Sequence, residues 1–362
     1  MTLLDHLDLI DDPRSSINRQ HELADILFLV LAALSCGMEG WADIEEFGHH
    51  KLDWLRQYRR FEHGIPTRHS IARIVKAVHI ETVMLALFSW VNQVREQTER
   101  PLLAIDGKTL RSARRTDALH MVTAYDTEQG LVLFGQASLG KGHELATART
   151  VLEMLNLKDS IVTLDALHCQ TETLKAIKTR KGDYVVQVKG NQPTLQQAIA
   201  DAFAPHWAND GAGVATHHTE ARQHGRQERR QVFQIPVPKE PLFKTQWPSV
   251  KSLIAVERER KVKTRTTTDT HYYLSSLDIE PELALKAVRQ HWGIENGQHW
   301  VLDVVFKEDA SGIGDWESAQ RLAVLRRIVL NLVQQHPATI SKRRKRLRAL
   351  MDDRFRAELF FG

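Results

Sequence analysis

Cysteine is scarce in this chain of 362 residues, which contains only Cys36 and Cys169. Two cysteines cannot form a disulfide framework, and they do not provide the paired Cys-x-x-Cys spacing of a structural zinc site. Low cysteine content is typical of a reducing compartment, so we expect a cytoplasmic location. The core must therefore be stabilised by packing rather than by cross-links.

Long hydrophobic runs are also missing. The longest apolar stretch, residues 26–34, is far shorter than the roughly 20 residues that span a bilayer. His21, Glu22 and Asp25 precede it, which argues against a signal peptide. We therefore predict a buried core helix and no membrane association. Internal repeats and low-complexity segments are absent as well, and the length allows two or three domains.

A strong excess of one charge is missing too, since 49 basic residues face 45 acidic ones for a net charge of +4. The distribution is more informative than the total. Basic residues cluster at 222–230, 258–265 and 342–348. Such clusters are typical of surfaces that meet a phosphate backbone, although a solvated helical face or a sorting tag has the same composition. Candidate DNA contacts in the first and last clusters are Arg226, Lys342, Arg343 and Arg344.

Residues 1–98 have a helical pattern, with helices predicted at 22–36, 41–58, 71–78 and 81–94. Gly37 should end the first, and Thr67 or Ser70 should cap the third. Short helices of this kind could form a helix-turn-helix DNA-binding module. A helical cap packed on the next domain is the alternative interpretation.

The pattern changes after residue 98. Strands are predicted at 101–106, 118–125, 131–137, 160–165 and 183–189, with helices at 144–155 and 171–179 between them. This order predicts an α/β fold with a mixed sheet and flanking helices. Residues 205–278 hold short strand-like segments and are interpreted as a β-rich insertion. Residues 279–362 return to helix, at 281–301 and in a basic tail at 315–358.

Three acids stand where a carboxylate is hard to explain structurally. Asp106 and Asp165 each end an apolar strand-like run, and ligand sites in open α/β sheets gather at such strand ends. Glu295 follows Val288 and Trp292 at helical spacing, so we expect it on an apolar helix face. Asp303, Glu308 and Asp309 compete with it. Three converging acids could hold two divalent metal ions about 3.5–4 Å apart.

Residues beside the acids suggest phosphate contacts. Lys108 and Arg111 follow the first acid, and Lys189 and Asn191 end the predicted strand after the second. His291 precedes Glu295 by about one helical turn, where it could orient the acid or contact DNA. Strand-to-turn corners with solvated bases are the alternative interpretation. We interpret His168 as a hydrogen-bonding residue at a helix start, and Trp292 and Trp300 as packing residues.

Several longer motifs together resemble the H-repeat-associated insertion-sequence transposases, bacterial DDE transposases linked to Rhs elements. The resemblance runs nearly end to end. It is carried by Asp12-Pro13-Arg14, the segment 40–48, Gly64-Ile65-Pro66, Asp106-Gly107-Lys108-Thr109, Asp165-Ala166, Lys189-Gly190-Asn191-Gln192 and His291-Trp292-Gly293-Ile294-Glu295-Asn296.

The resemblance implies a ribonuclease H-like core in which Asp106, Asp165 and Glu295 form the catalytic triad. Asp106 and Asp165 would hold one Mg²⁺ or Mn²⁺, and Glu295 would complete a second site. Water would nick the element's terminal repeat, and the freed 3′-hydroxyl would then attack target DNA. A nucleoid-associated homo-oligomer on double-stranded DNA is the implied assembly.

One departure limits this inference. Related transposases carry Tyr-x2-Arg-x3-Glu-x6-Lys around the last acid, whereas this chain has Val288, His291 and Leu302 at those positions. DNA-end handling in that group is therefore not carried over. Two alternatives stay open from the sequence: a catalytically inactive DNA-binding relic, and a metal-dependent nuclease without strand transfer.

Overall fold

The computed structural model describes residues 1–17, 19–95, 98–110, 119–138, 141–209, 213–223, 226–247, 249–263 and 265–362. Within these ranges it leaves out the side chains of Lys141, Gln223 and Arg226. The predicted contact at Arg111 lies outside the described residues, and so does the side chain of Arg226.

The N-terminal region is helical, as expected. Its helices are α1 (Leu3–Asp8), α2 (Leu23–Ser35), α3 (Trp41–His50), α4 (Leu52–Leu55), α5 (Arg68–Ala77) and α6 (Ile80–Val94). The apolar run lies in α2, which is buried along almost its whole length. Gly37, with a φ of +93°, follows its end. Thr67 caps α5 by accepting a hydrogen bond from the Ser70 N–H. The single helix predicted over 41–58 is wrong, because Lys51 interrupts it.

A mixed sheet occupies the centre. It begins with β1 (Leu102–Leu110), β2 (Leu119–Asp126), β3 (Leu131–Ser138), β4 (Ile161–Leu164) and β5 (Asp183–Val188), together with α7 (Glu144–Glu153) and α8 (Thr171–Thr179). The order is β3-β2-β1-β4-β5. The first three strands are antiparallel, and β4 and β5 run parallel to β1. This mixed sheet with flanking helices is the ribonuclease H-like arrangement that the resemblance implies.

The sheet then continues outward through four more strands. After α9 (Pro193–Trp207) come β6 (Ala215–Gln223), β7 (Arg226–Pro236), α10 (Pro241–Gln246), β8 (Ser252–Val262) and β9 (Arg265–Ser275). β9 pairs antiparallel with β5, so the β-rich segment extends the same sheet to nine strands. The first half of β8 is buried and its second half is exposed, and β9 has the reverse pattern. The paired segments 259–262 of β8 and 265–268 of β9 therefore form an exposed ribbon. Helix α9 is not foreseen by the sequence pattern.

The C-terminal region is α11 (Pro281–His291), α12 (Trp300–Val304), α13 (Trp316–Gln335), α14 (Lys342–Met351) and α15 (Asp353–Phe361). Helix α13 packs against β3 and also against α2, α5 and α6, so both ends of the chain share one core. The Trp54 indole N–H donates to the Asp353 carbonyl at 3.2 Å, and Tyr58 stacks on Phe361 with ring centroids 4.4 Å apart. This packing favours a helical cap over a separate DNA-binding module for the N-terminal helices.

Part of the basic tail is structural. The Lys345 ammonium is buried on the carbonyls of Val333 and His336, at 2.9 and 2.6 Å. Arg346 donates to the Leu34 carbonyl and to Glu39, at 2.8 and 2.7 Å. Only some of the charge in this cluster therefore faces solvent.

Among the described residues, no single helix combines the length and apolar character needed to cross a bilayer. Helices α5 and α6 reach that length and composition only as a pair, which is bent by 87°.

Candidate active site

Strand register brings the first two acids together. Ile105 of β1 pairs with Leu164 of the parallel strand β4. Asp106 and Asp165 are the next residues on these two neighbouring strands, so they project from one edge of the paired region. Strand β1 itself continues to Leu110. The prediction that it ends at Asp106 is therefore wrong, although the pairing with β4 does end there.

Asp106 lies in an unfavourable environment for a charge. Its side chain is 20% exposed, and its Oδ1 accepts a hydrogen bond from the Gly107 N–H at 2.9 Å. Burial, with added repulsion from Asp165, Glu295 and Glu144, raises the pKa of Asp106 to about 7. The carboxylates of Asp165, Glu295 and Glu144 therefore all lie within electrostatic reach of Asp106.

Asp165 is held by the turn that follows it. Its Oδ1 accepts from the N–H groups of Leu167 and His168, at 3.1 and 3.3 Å. The turn is braced from the end of β5, because the Asn191 amide donates to the Ala166 carbonyl at 2.7 Å. Asn191 thus has a clear structural use. Gln192 supports the same turn by donating to the Cys169 carbonyl at 3.1 Å.

Glu295 is exposed, and Ile294 beside it is fully buried. The prediction of a buried apolar face is therefore wrong by one position along the helix. The single helix predicted over 281–301 is also wrong in detail, because Glu295 begins a π-helical turn, Glu295–His299, between α11 and α12. Such turns rotate side chains relative to a regular helix and are frequent at functional sites. Burial raises the pKa of Glu295, and the nearby Lys189 ammonium opposes that shift. Lys189 is exposed, which leaves it accessible to a ligand.

The π turn is seated against β2 at Gly297. A Cβ atom at this position would overlap the Tyr125 hydroxyl, so any larger residue would force the tyrosine ring or the turn to shift. The turn is fixed further by Gln298, whose amide donates to the buried Thr123 hydroxyl at 3.0 Å. These two contacts set the position of Glu295 relative to the strand acids.

We expect Gly297→Ala to destabilise the protein by about 1–3 kcal/mol, the usual cost of overpacking. Tyr125→Phe should restore part of this loss, because the hydroxyl is the nearest obstacle. Urea denaturation measures both. Gly293→Ala is the matched control, since its Cβ would lie 3.6 Å from Thr127, an ordinary contact. Equal stability of the Gly293 and Gly297 variants would contradict this account of the turn.

Lys108 is not a phosphate contact. Its side chain is 7% exposed, and its ammonium lies 2.6 Å from Asp303, 3.2 Å from Glu308 and 3.3 Å from Asp309. A phosphate would have to displace three carboxylates from it. Asp303, Glu308 and Asp309, the alternatives to Glu295 in the sequence, are therefore already paired with Lys108. Glu308 is completely buried and also pairs with Arg327 at 2.9 Å.

The histidines of this region face inward. The His291 Nδ1 lies 3.1 Å from the Thr163 hydroxyl, and burial lowers the pKa of His291 to about 4. It is therefore a neutral packing residue rather than a DNA contact. The His299 Nδ1 lies 3.7 Å from the Asp106 Oδ2. Burial, with repulsion from Arg327 and Lys108, lowers the pKa of His299 to about 3, so it supplies no positive charge to Asp106.

The exposure of the two tryptophans, the basic tail and His168 bears on three further predictions. Trp292 and Trp300 are 48% and 57% exposed, so the prediction that they are packing residues is wrong. Arg343 and Arg344 are exposed and Lys342 is partly buried. His168 is fully buried, but its ring nitrogens have no hydrogen-bond partner among the described residues, which corrects its expected bonding role.

Sequence reasoning misses Glu144. It is the first residue of α7, and its carboxylate occupies the space that a side chain at position 107 would need. Nothing in the sequence marks it, because an acid at the start of a helix is common for reasons of helix stability alone. Its place beside Asp106 follows only from the packing of α7 against the sheet.

A groove of about 770 Å³ opens beside Glu295, between α11 and strands β6 to β9. Its lining is rich in basic and aromatic side chains, among them Arg258, Arg260, Arg289, His271 and Trp292. Asn296, the neighbour of Glu295, lies at the same groove. The groove thus leads from the ribbon to the last acid.

The donor chemistry fits a divalent metal ion. Carboxylate oxygens are the ligands that Mg²⁺ and Mn²⁺ prefer, and the charges of Asp165, Glu295 and Glu144 each disfavour the charged form of Asp106. Within the described part of the chain, however, no three acidic, histidine or cysteine side chains already surround one point where an ion could bind. Side-chain rotation at the exposed Glu295 and the 40% exposed Asp165 would be needed to close the site.

Comparison with known proteins identifies the family of the chain. The Transposase DDE domain family matches residues 97–332, and the DDE_Tnp_1-associated family matches residues 4–91. The "H repeat-associated putative transposase YhhI" of Escherichia coli K12 is 34% identical, over 99% of this chain and 98% of its own length. The "Putative transposase YncI" of Escherichia coli O157:H7 is 34% identical, over 92% of this chain and 87% of its own. A piggyBac transposase from a synaptic complex with hairpin DNA has 10% identity and a TM-score of 0.46, over 99% of this chain and 78% of its own. The chain therefore belongs to the DDE transposases of insertion sequences, within the H-repeat-associated group.

Proposed function

We propose that this transposase binds the ends of its element as double-stranded DNA and cleaves them with Asp106, Asp165 and Glu295 as the catalytic acids. The observation that carries this proposal is the register of β1 and β4, which sets two acids side by side. It is supported by Glu295 in the π turn, whose negative charge contributes to the raised pKa of Asp106. Family membership supports the reaction class.

A divalent ion bound by these carboxylates would activate the attacking hydroxyl and stabilise the leaving oxygen. The protein's own contribution is to position the acids. Asp106 lies on the sheet. Asp165 is held by the turn that follows it, which Asn191 stabilises through a hydrogen bond. Glu295 is positioned by the close packing of Gly297 against Tyr125. Water would attack the phosphorus atom, the 3′-oxygen would leave, and that 3′-hydroxyl would later attack target DNA.

The groove beside Glu295 is the proposed path for the DNA backbone. Arg260 and Arg289 are exposed on its walls, and cations of this kind bind phosphates with a strong dependence on salt. Lys189 stands near Glu295 and is the proposed phosphate contact closest to the acids. Trp292, half exposed in the groove, offers an aromatic face to an unstacked base. Arg343 and Arg344 of the tail are proposed as secondary contacts.

The test is cleavage of a supercoiled plasmid that carries the gene with its native flanking DNA, in Mn²⁺. We expect nicking at the flanks by the wild type and a loss of about a hundredfold or more in Asp165→Asn and Glu295→Gln. Glu153→Gln is the control, because Glu153 is exposed at the far end of α7. Its rate should match the wild type.

The other outcomes decide between the alternatives. Nicking without preference for the flanks would indicate a nuclease without strand transfer. Binding of the flanking DNA without nicking, unchanged by the acid substitutions, would indicate an inactive DNA-binding protein. Either result would overturn the proposed reaction.

A further inference from the structure

The π turn that carries Glu295 brings a second side chain to the site from its other end. The turn runs from Glu295 to His299 and is closed by the Trp300 N–H, which donates to the Glu295 carbonyl. Glu295 is exposed at the start of the turn, whereas the His299 side chain is only 14% exposed at its end. The His299 Nδ1 lies 3.7 Å from the Asp106 Oδ2. The proposed function gives this inward-facing ring no role.

The other ring nitrogen of His299 is buried without a partner. Its Nε2 accepts or donates no hydrogen bond among the described residues, and a buried polar atom left unsatisfied is costly. Among the charged groups that act on the ring, Arg327 acts most strongly and Lys108 follows. Both of these side chains can only donate hydrogen bonds.

Arg327 approaches the first acid from α13. Its Cδ would lie 3.5 Å from a Cβ atom at Gly135, and Gly135, Thr123 and Asp106 are paired in one row across β3, β2 and β1. The Arg327 Nη1 donates to the Glu308 Oε1 at 2.9 Å. Its Nε and Nη2 are buried and have no acceptor among the described residues. Two donors thus lack an acceptor over the row of residues that contains Asp106.

These surroundings determine which nitrogen of His299 carries the proton. The ring is neutral beside the two cations, and a neutral imidazole has one donor and one acceptor nitrogen. Glu308, whose charge also acts on the ring, already accepts from Arg327 with Oε1 and from Lys108 with Oε2. An acceptor at Nε2 suits the unpaired donors of Arg327. The proton then lies on Nδ1, the nitrogen that faces Asp106.

We propose that His299 is a positioning residue that donates a hydrogen bond from Nδ1 to the Asp106 Oδ2 and so sets the orientation of this carboxylate. A separation of 3.7 Å is too long for a hydrogen bond, and a small rotation of the carboxylate toward the ring closes it. The Asp106 Oδ1 already accepts from the Gly107 N–H, so both oxygens would be held. Hydrogen bonds of this kind orient carboxylates that bind metal ions. The inference rests on the proposed function, because it adds a positioning residue to one of the proposed acids.

The first test does not depend on DNA cleavage. Nitrogen NMR of the full-length, metal-free protein with isotope-labelled histidine rings shows which nitrogen is protonated, and His299→Gln identifies the signal of this ring. We expect the Nδ1–H tautomer, with a signal that shifts in Asp106→Ala. The signal should not shift in Glu153→Gln, a change at the exposed end of α7. An Nε2–H tautomer, or no shift in Asp106→Ala, would refute the hydrogen bond.

The second test is the plasmid-nicking assay in Mn²⁺. The amide of an asparagine can take the place of Nδ1, whereas the amide of a glutamine lies nearer to the place of Nε2. We expect His299→Gln to lower the nicking rate about 10- to 100-fold, as for other residues that orient metal ligands, and His299→Asn to lose distinctly less. His50→Gln, the same change at a histidine that is 75% exposed, should nick as the wild type does. Thermal unfolding in EDTA checks that each variant is folded.

The outcomes separate this inference from the proposed function. If Asp106→Asn abolishes nicking while His299→Gln and His299→Asn nick equally fast, the proposed acids stand and the role of His299 is refuted. If the wild type does not nick the plasmid, or Asp106→Asn nicks as fast as the wild type, the proposed function is overturned. The NMR result then decides by itself whether His299 holds Asp106.

Discussion

Replacing Asp106 with asparagine should stabilise the metal-free protein at pH 8 while it abolishes DNA cleavage. Burial and three neighbouring carboxylates raise the pKa of Asp106 from 3.8 to about 7. A shift of that size corresponds to a free-energy cost of about 4 kcal/mol for the charged form of Asp106. We expect Asp106→Asn to recover about 2–4 kcal/mol of this cost. Asparagine keeps an oxygen for the Gly107 N–H and removes the charge. Urea denaturation in EDTA measures the gain, and the plasmid assay should show a loss of cleavage of about a thousandfold.

The pH dependence has a defined sign. Because the folded pKa of Asp106 is raised, its contribution to stability is fully present below about pH 4 and is lost as the pH rises through about 7. His291 and His299 have lowered pKa values of about 4 and about 3, so they act in the opposite direction below about pH 6.5. The comparison of wild type with Asp106→Asn isolates the first contribution. The stability difference between the two should grow from pH 4 to pH 8.

Asp126 provides a control of opposite sign. It is fully buried, but Arg95 lies 2.8 Å from it, and the N–H groups of Glu128 and Gln129 donate to it at 3.0 Å. Asp126→Asn should therefore destabilise the protein by about 1.5–3 kcal/mol, as expected for charge-assisted hydrogen bonds. If both asparagine variants lose stability, Asp106 is a structural residue and its crowding has been misjudged.

Replacing Glu308 with glutamine should cost about 3–5 kcal/mol, the largest stability loss we predict. Glu308 and Arg327 are both fully buried and lie 2.9 Å apart. Glutamine would leave the Arg327 guanidinium in the core without its carboxylate, and an unpaired buried charge is far more costly than a lost surface pair. Lys108 would lose the same partner. The midpoint of urea denaturation measures the loss.

The control is Glu317→Gln on the same helix as Arg327, because Glu317 is half exposed and pairs with Lys76 at 3.2 Å. It should change stability by less than about 1 kcal/mol. Adding Arg327→Met to Glu308→Gln should recover part of the loss, since it removes the stranded cation. If the double variant loses as much stability as the Glu308→Gln and Arg327→Met single variants together, the unpaired charge of Arg327 is not the cause of the loss.

The outline of the fold could be predicted from local pattern. Alternation and apolar runs locate β1 to β5, and helix α8 is predicted with its observed bounds. The π turn at Glu295–His299 could not be predicted, because it depends on the contact between Gly297 and Tyr125 of a distant strand. The one-residue error in the burial of Glu295 arises before that turn, because α11 ends at His291 and Trp292 is already exposed.

The site residues that could be predicted are carboxylates that stand at the end of an apolar run, because position and residue type then indicate the same role. Asp106 and Asp165 follow apolar runs that read as neighbouring strands, and the register places them together. Lys108 has the same local signal as a phosphate contact, but its partners Asp303, Glu308 and Asp309 lie about two hundred positions later in the chain. Charge pairing across such separations is a property of the folded chain and not of any segment.

The closure of the two chain ends on each other has a consequence for biosynthesis. Phe361 stacks on Tyr58, and Asp353 receives the Trp54 indole N–H. The aromatic surface of the N-terminal helices is therefore covered only after α15 has been synthesised and has packed on it. During translation this surface is exposed apolar area, which exposes a nascent chain to aggregation and to chaperone capture. A nascent chain that stops before α15 would leave this aromatic surface uncovered and would be prone to aggregation.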